Sequence, residues 1–349
     1  MRQPNVHREV YTNFAIVVLV TVATVAFNLL AGVLAGVIAT VVVFLGKSSQ
    51  SVVRAVHRGD KRHSLKLRSP EKTAHLRAHG ARIVIIELER TLFFGTADSV
   101  SLLVEQIAPG ADFVIFDFRR VTEIDATGAH LLEQTGARLA KQGKIAVLGG
   151  VTMHDANGQF LAGMGVAAGI AQTCWFADTD YALEWCESQL LARAFDDDET
   201  SQELSIAQLG IAADCDAAEV ALLAQHLERR VFEAGEYLFR EGDAGDTLYV
   251  PARGSISIKL PRQGNTESRR LVTLSPGVMF GEMVLVEDRP RSADAVAEEY
   301  AVVYGLTRAA LDTLRAQYPA LAGKLLLNMS RLLADRLRTT TEELRAAAA

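Results

Sequence analysis

The sequence Phe280-Gly-Glu-Met-Val-Leu-Val-Glu-Asp-Arg-Pro-Arg-Ser-Ala293 carries more chemistry than any other segment of this chain. A Gly-Glu pair opens a short helix, an Arg follows nine residues after the Glu, and Ser-Ala closes the run. Backbone N–H groups around Gly281, Glu282 and Met283 would face a phosphate at the helix start, where the helix dipole favours negative charge. Arg291 could meet that phosphate in a charge-assisted bond, and the Glu282 carboxylate could accept from a ribose hydroxyl. Phe280, Ser292 and Ala293 flank these groups and complete the candidate binding site.

The segment resembles the phosphate-binding cassette of the cyclic nucleotide-binding (CNB) domain, which implies cAMP or cGMP as ligand. Upstream, Phe232-Glu-Ala-Gly-Glu-Tyr-Leu-Phe-Arg-Glu-Gly-Asp243 resembles that family's first barrel strands, with Gly235 and Gly242 at turns. Gly254 and Pro276-Gly277 mark further turns, and Leu306 to about Arg345 reads as the closing helical segment. The likeness spans roughly residues 205 to 345. Three residues depart from the pattern. Val284 stands where nucleotide-binding members usually carry Ala, Asp294 sets an anionic side chain just past Arg291, and Pro251 falls inside a strand pattern. Two readings follow: a site for a cyclic nucleotide, with Ser292 leaning slightly towards cAMP, or a degenerate barrel in which Glu282 and Arg291 merely pair with each other.

The 349 residues suit two or three domains, and 49% hydrophobic content is high. Much of that excess lies in Phe14 to Gly46, which holds no charged residue and reads as membrane material. As one helix the run would reach roughly 50 Å, against a hydrocarbon core of about 30 Å. Asn28 and Gly32 interrupt it, so the expectation is two short helices over 14–27 and 30–46; a single tilted span is the alternative. Gly32, Gly36 and the Ala31, Ala35, Ala39 row offer small residues for close helix packing against a membrane partner. The net charge of −6 hides a basic stretch, Lys47 to Arg82, of the kind found on the cytoplasmic side of a membrane. Without aromatic interleaving it does not read as a nucleic-acid site. Three scattered cysteines suit reduced thiols.

Between the apolar run and the barrel, Ile83 to Leu88, Phe113 to Phe118 and Ile145 to Leu148 are β-rich runs separated by helical patterns, which implies an α/β layer. Asp117-Phe-Arg-Arg-Val-Thr-Glu-Ile-Asp-Ala-Thr-Gly128, followed by a helix and by Lys141-Gln-Gly-Lys-Ile-Ala-Val-Leu-Gly149, resembles the STAS domain. Leu92-Phe-Phe-Gly-Thr-Ala-Asp98 and Tyr181-Ala-Leu-Glu-Trp185 resemble the transporter-type branch of that domain, and the preceding hairpin resembles the last two helices of a SulP-type anion (sulfate) permease. Thr127 matches the position phosphorylated in anti-sigma-factor antagonists; the simpler reading is that Asp125 or Thr127 caps the following helix.

The expected fold is therefore multidomain. A short membrane α-hairpin (1–47) and a basic juxtamembrane linker (48–80) lead to an α/β STAS domain whose sheet is flanked by helices (81–192). An acidic linker (193–204) then joins a jelly-roll-like β-barrel with helices (205–349). No catalytic or metal-ligating pattern stands out: His75 and His79 lack a third ligand, and Gly163 to Gly169 follows a helix rather than a strand. The expectation is a non-enzymatic regulatory portion or subunit of a SulP-type transporter at the inner membrane, with both domains cytoplasmic. A permease core or a second copy of the chain would be its partner. Alternatives are a truncated product, a membrane-tethered STAS/CNB signalling adaptor, or a scaffold whose barrel binds nothing.

Overall fold

The computed structural model describes residues 5–26, 28–48, 52–195, 202–261, 268–286 and 289–348. Arg2, Ser49 and the acidic run Asp196 to Thr200 lie outside them. The chain begins with α1 (Asn5–Ala26), α2 (Leu29–Ser48), β1 (Val53–Arg58), β2 (Lys66–Leu67) and α3 (Pro70–His79). It continues through β3 (Ile83–Leu92), α4 (Phe94–Ile107), β4 (Phe113–Ile124), α5 (Ala126–Lys141), β5 (Ile145–Gly149), α6 (Ala156–Gly163), α7 (Val166–Gly169), β6 (Trp175–Phe176) and α8 (Thr179–Ala192). Two compact units result: Met1–His57 with Val84–Thr179, and Arg58–Ile83 with Asp180–Ala349.

The first unit is built on a five-stranded sheet of order β1-β3-β4-β5-β6. β5 pairs in parallel with both β4 and β6. The runs Ile83 to Leu88 and Phe113 to Phe118 are buried at every position, as strands covered on both faces require. Helix α5 buries Ala129, Leu132, Gly136 and Leu139 on one stripe. Asp125 caps it, accepting from the Gly128 N–H at 2.6 Å.

Helices α1 and α2 are longer than the sequence suggests and lie against each other. The small-residue row is used inside this pair: a Cβ on Gly32 would sit 1.9 Å from Thr24 Oγ1, and one on Gly36 would meet Val20 Cγ2 at 3.0 Å. The expectation that these glycines face another membrane protein is thereby corrected. Val22, Val25, Leu30 and Leu34 on the same helices are exposed. Among the described residues no helix is long and apolar enough to cross a membrane, so the expected membrane hairpin is not supported.

The segment expected to be a solvated linker is partly folded instead. β1 joins the first unit's sheet, and β2 and α3 belong to the second. The reason is local chemistry: apolar Val53, Val56, Leu65 and Leu67 interleave with the basic residues, so the stretch can pair as strand while its cations stay at the surface or in ion pairs.

The second unit adds α9 (Ala217–Ala224), β7 (Glu228–Phe232), β8 (Tyr237–Phe239), β9 (Thr247–Arg253), β10 (Ile256–Leu260), β11 (Arg269–Leu274), the one-turn helix α10 (Met283–Val286), β12 (Asp294–Ala297), β13 (Ala301–Thr307), α11 (Arg308–Gln317) and α12 (Pro319–Ala348). Its strands form two sheets, β2-β11-β10-β12-β8 and β7-β13-β9, and Ile256, Leu274, Phe280, Ala295 and Val303 pack in one core. A second core gathers Ile211, Leu223, Leu248, Leu314, Leu325 and Met329. Pro251 is accommodated because β9 is an edge strand whose register with β13 shifts beside it.

Candidate functional site

The cassette is pinned before it can bind anything. Tyr249 and Phe280 exchange backbone hydrogen bonds of 2.9 Å in both directions, which fixes the segment to β9. Their rings stack with centroids 5.6 Å apart, and Phe239 lies 5.9 Å from Tyr249. Phe280 thus anchors the cassette, and it also lines the cavity described below. Gly281 turns the chain at φ +72°, a conformation that favours glycine. Helix α10 is only four residues long, so its macrodipole is small and the phosphate cradle would rest on its first-turn N–H groups, which have no partner within the helix.

Arg291 lies at the centre. Its backbone is locked to the preceding turn: its N–H donates to Asp243 O and its carbonyl accepts from Gly242, both at 2.9 Å. Its side chain is buried. Nη2 donates to Thr247 O at 2.7 Å and Nη1 to Gly281 O at 3.3 Å. The guanidinium carbon lies 4.1 Å from the Phe239 ring centroid, a cation–π contact. Nε is buried without a hydrogen-bond partner. Among the described residues no carboxylate forms an ion pair with this cation. Burial consequently pulls its pKa down, against smaller opposing influences of Tyr249, Asp246 and Asp243. Two glycines make room for it: a Cβ at Gly245 would fall 2.4 Å from Nε, and one at Gly281 2.7 Å from Nη1.

Glu282 is buried, but its partner is not Arg291. Oε1 lies 3.5 Å from Arg336 Nη1 on α12, and Arg336 also donates to the Met279 carbonyl. The reading in which Glu282 and Arg291 only stabilise each other is corrected by this geometry. Asp294 turns its Oδ1 to the Glu241 N–H at 2.8 Å, and among the described residues it forms no ion pair with Arg291. Val284 is buried at the cavity wall, Met283 and Ser292 are exposed, and Ala293 is buried.

Arg291, Glu282, Met283, Val284, Ser292 and Ala293 line a cavity of about 470 Å³, together with Arg289, Arg336 and an apolar wall that includes Ile258, Leu271, Val272 and Leu274. That volume is in the range of small-molecule sites. The β2 segment, Ser64, Leu65 and Leu67, also lines it. Sequence reasoning missed Arg336, the β2 segment and the Gly245 approach; only the last had a local signal, the Asp-Ala-Gly-Asp turn at 243–246.

In the first unit Thr127 is exposed in the first turn of α5, and Asp125 alone provides the cap. Asp117 is held by Arg119 in a two-pronged pair, Nε–Oδ1 3.0 Å and Nη2–Oδ2 2.6 Å. Burial pushes the Asp117 carboxyl up, but the Arg119 hydrogen bonds prevail and hold it below the usual carboxylate value. Among the described residues no cluster of three or more His, Cys, Asp or Glu is placed to hold a metal.

Residues 229–318 match the cyclic nucleotide-binding domain family, and residues 77–152 match the STAS domain family. The chain carries both domains. It is 31% identical over 274 residues to glutaminase 2 of Bradyrhizobium diazoefficiens, covering 78% of this chain and 43% of that protein. It is 37% identical over 126 residues to the cyclic AMP receptor protein of Thermus thermophilus, covering 36% of this chain and 56% of that one. The crystal structure of the Thermus thermophilus catabolite activator protein aligns at 32% identity and a TM-score of 0.35, over 40% of this chain and 63% of that chain. The chain spans less than half the length of the glutaminase it matches.

Proposed function

We propose that this chain is a regulatory module in which the CNB domain binds a cyclic purine nucleotide and the STAS domain passes its occupancy to a partner. The carrying observation is Arg291: a buried cation with an unpartnered Nε, no paired carboxylate among the described residues, and a largely apolar cavity that it lines. Keeping an uncompensated charge out of water is costly, and a bound phosphate would offset that cost. The Thermus relative, whose name states cyclic AMP, supports the same ligand class. Isothermal titration of the full chain with cAMP and cGMP tests the proposal. Binding is expected, and Arg291→Ala should weaken it about 10- to 150-fold, the loss typical of a charged hydrogen bond. Binding indifferent to Arg291→Ala would place the phosphate elsewhere.

The partner follows from two separate lines of support. The SulP-type permease reading rests on the sequence of the α1–α2 pair and of the Leu92 to Asp98 stretch; it puts the exposed valines and leucines of those helices against the membrane and both domains on the cytoplasmic side. The glutaminase matches instead support attachment of the same pair of domains to an enzyme, since the alignment to glutaminase 2 covers 78% of this chain. We read the chain itself as non-catalytic under either line. Glutamine hydrolysis by the purified chain would overturn that reading.

A further inference from the structure

The nucleotide cavity has a wall that neither domain match contains. Residues 64–67 run beside β11 in parallel: the Thr273 N–H donates to Leu65 O at 2.9 Å and the Ser275 N–H to Leu67 O at 3.0 Å. The strand is two residues long, too short to hold itself, so side chains anchor it. Glu187, fully buried, accepts from Ser64 N at 2.9 Å, Ser64 Oγ at 2.5 Å and Arg68 Nη1 at 2.5 Å. Asp180 accepts from the Leu65 N–H at 2.9 Å and also from Arg270 on β11. Leu67 packs against the barrel core, whereas Leu65 stays partly open. Leu65 is 42% exposed, Leu271 is 38% and Met283 is 55%, and all three line the one cavity that Arg291 and Glu282 line. A planar purine held by its phosphate at Arg291 presents apolar faces that such side chains would cover.

We propose that residues 64–67 complete the nucleotide site, with Leu65 closing on the purine base. This rests on the cyclic-nucleotide reading of Arg291, and it makes the affinity of the site depend on a segment far upstream of the barrel. Leu65 and Leu67 point towards the cavity, so Lys66 between them points away; its ammonium pairs with Glu184 at 3.1 Å.

The test uses the full chain with cAMP and cGMP as probes. Leu65→Ala should weaken binding of the preferred nucleotide about fivefold through loss of apolar contact, with circular dichroism and the unfolding temperature little changed. Leu65→Trp supplies a reading that a structural role alone would not give. Its emission should shift on nucleotide addition, whereas that of Lys66→Trp should not. If wild type binds, Arg291→Ala loses affinity, and Leu65→Ala stays within about twofold with a silent Leu65→Trp, the wall proposal is overturned and the nucleotide reading stands. If wild type binds neither nucleotide, both are overturned.

Discussion

Glu187→Ala probes how firmly the β2 segment is held. The variant removes the carboxylate that accepts from Ser64 N, Ser64 Oγ and Arg68 Nη1, and it strands an Arg68 side chain that is only 4% exposed. Arg68 keeps weaker acceptors, Lys66 O and Glu184 O at 3.3 Å. Breaking a buried pair from one side typically costs about 3–5 kcal/mol. Glu187→Gln, which keeps the shape and one acceptor, should cost roughly 1–3 kcal/mol. Urea unfolding of the full chain at pH 7, followed by circular dichroism and by Trp185 fluorescence in a Trp175→Phe background, measures both. The pH dependence has a definite sign. Burial alone would raise the Glu187 carboxyl, but the hydrogen bond from His63, the charge of Arg68 and the Ser64 bonds outweigh it and hold the group below its ordinary value near 4.5. A depressed folded-state pKa gives stability that is present above the unfolded value and lost as pH falls through the folded one. The difference between wild type and Glu187→Ala should thus be constant from pH 7 to about 5 and shrink below about 4. A neutral-pH difference under about 1 kcal/mol, or one that widens on acidification, would refute the reasoning.

Arg336→Ala should tighten cyclic-nucleotide binding by up to about fivefold, because a partly exposed ion pair competing for Glu282 is worth on the order of 1 kcal/mol or less; weaker binding would assign Arg336 to the ligand instead. Gly245→Ala should abolish measurable binding while the barrel still folds, since its Cβ would occupy the space of Arg291 Nε. Asp125→Ala should lower the stability of the STAS-containing unit by about 1 kcal/mol in thermal unfolding, and Thr127→Ala should change it by less than about 0.5 kcal/mol. Gly32→Leu should separate α1 from α2, read as loss of disulfide trapping between cysteines placed at Val20 and Gly36, while the unfolding of the STAS and CNB domains is unchanged.

The barrel and the α/β layer were legible because their signals are local. Turn glycines, buried β-rich runs and an N-cap each show within a dozen residues, and the cassette packs its ligand chemistry into fourteen consecutive positions from Phe280 to Ala293. Arg291 was recognisable as the cassette's cation, but the fate of Glu282 was not. Its partner Arg336 sits on a long helix near the exposed Arg331 and Arg338, and nothing in the sequence marks it out. The role of Ser64 to Leu67 was equally hidden: two residues of strand carry no periodicity, and parallel pairing with β11 depends on contacts far along the chain. The apolar run showed its helices, but the charged and polar residues from Asn5 to Asn13 concealed that α1 starts there.

The anchoring of β2 also bears on the order in which the chain can be made and finished. Arg68 waits 119 residues for Glu187, and β11 emerges later still. On a ribosome the segment therefore stays unpaired while the whole first unit has time to form, and the barrel sheet acquires its outermost strand only once β11 has been made. Pairings between such distant stretches close slowly. Expression fragments cut at the limits of residues 77–152 and 229–318 would leave that strand behind in either half, so a barrel produced alone would present the backbone of β11 as an open edge, an invitation to self-association.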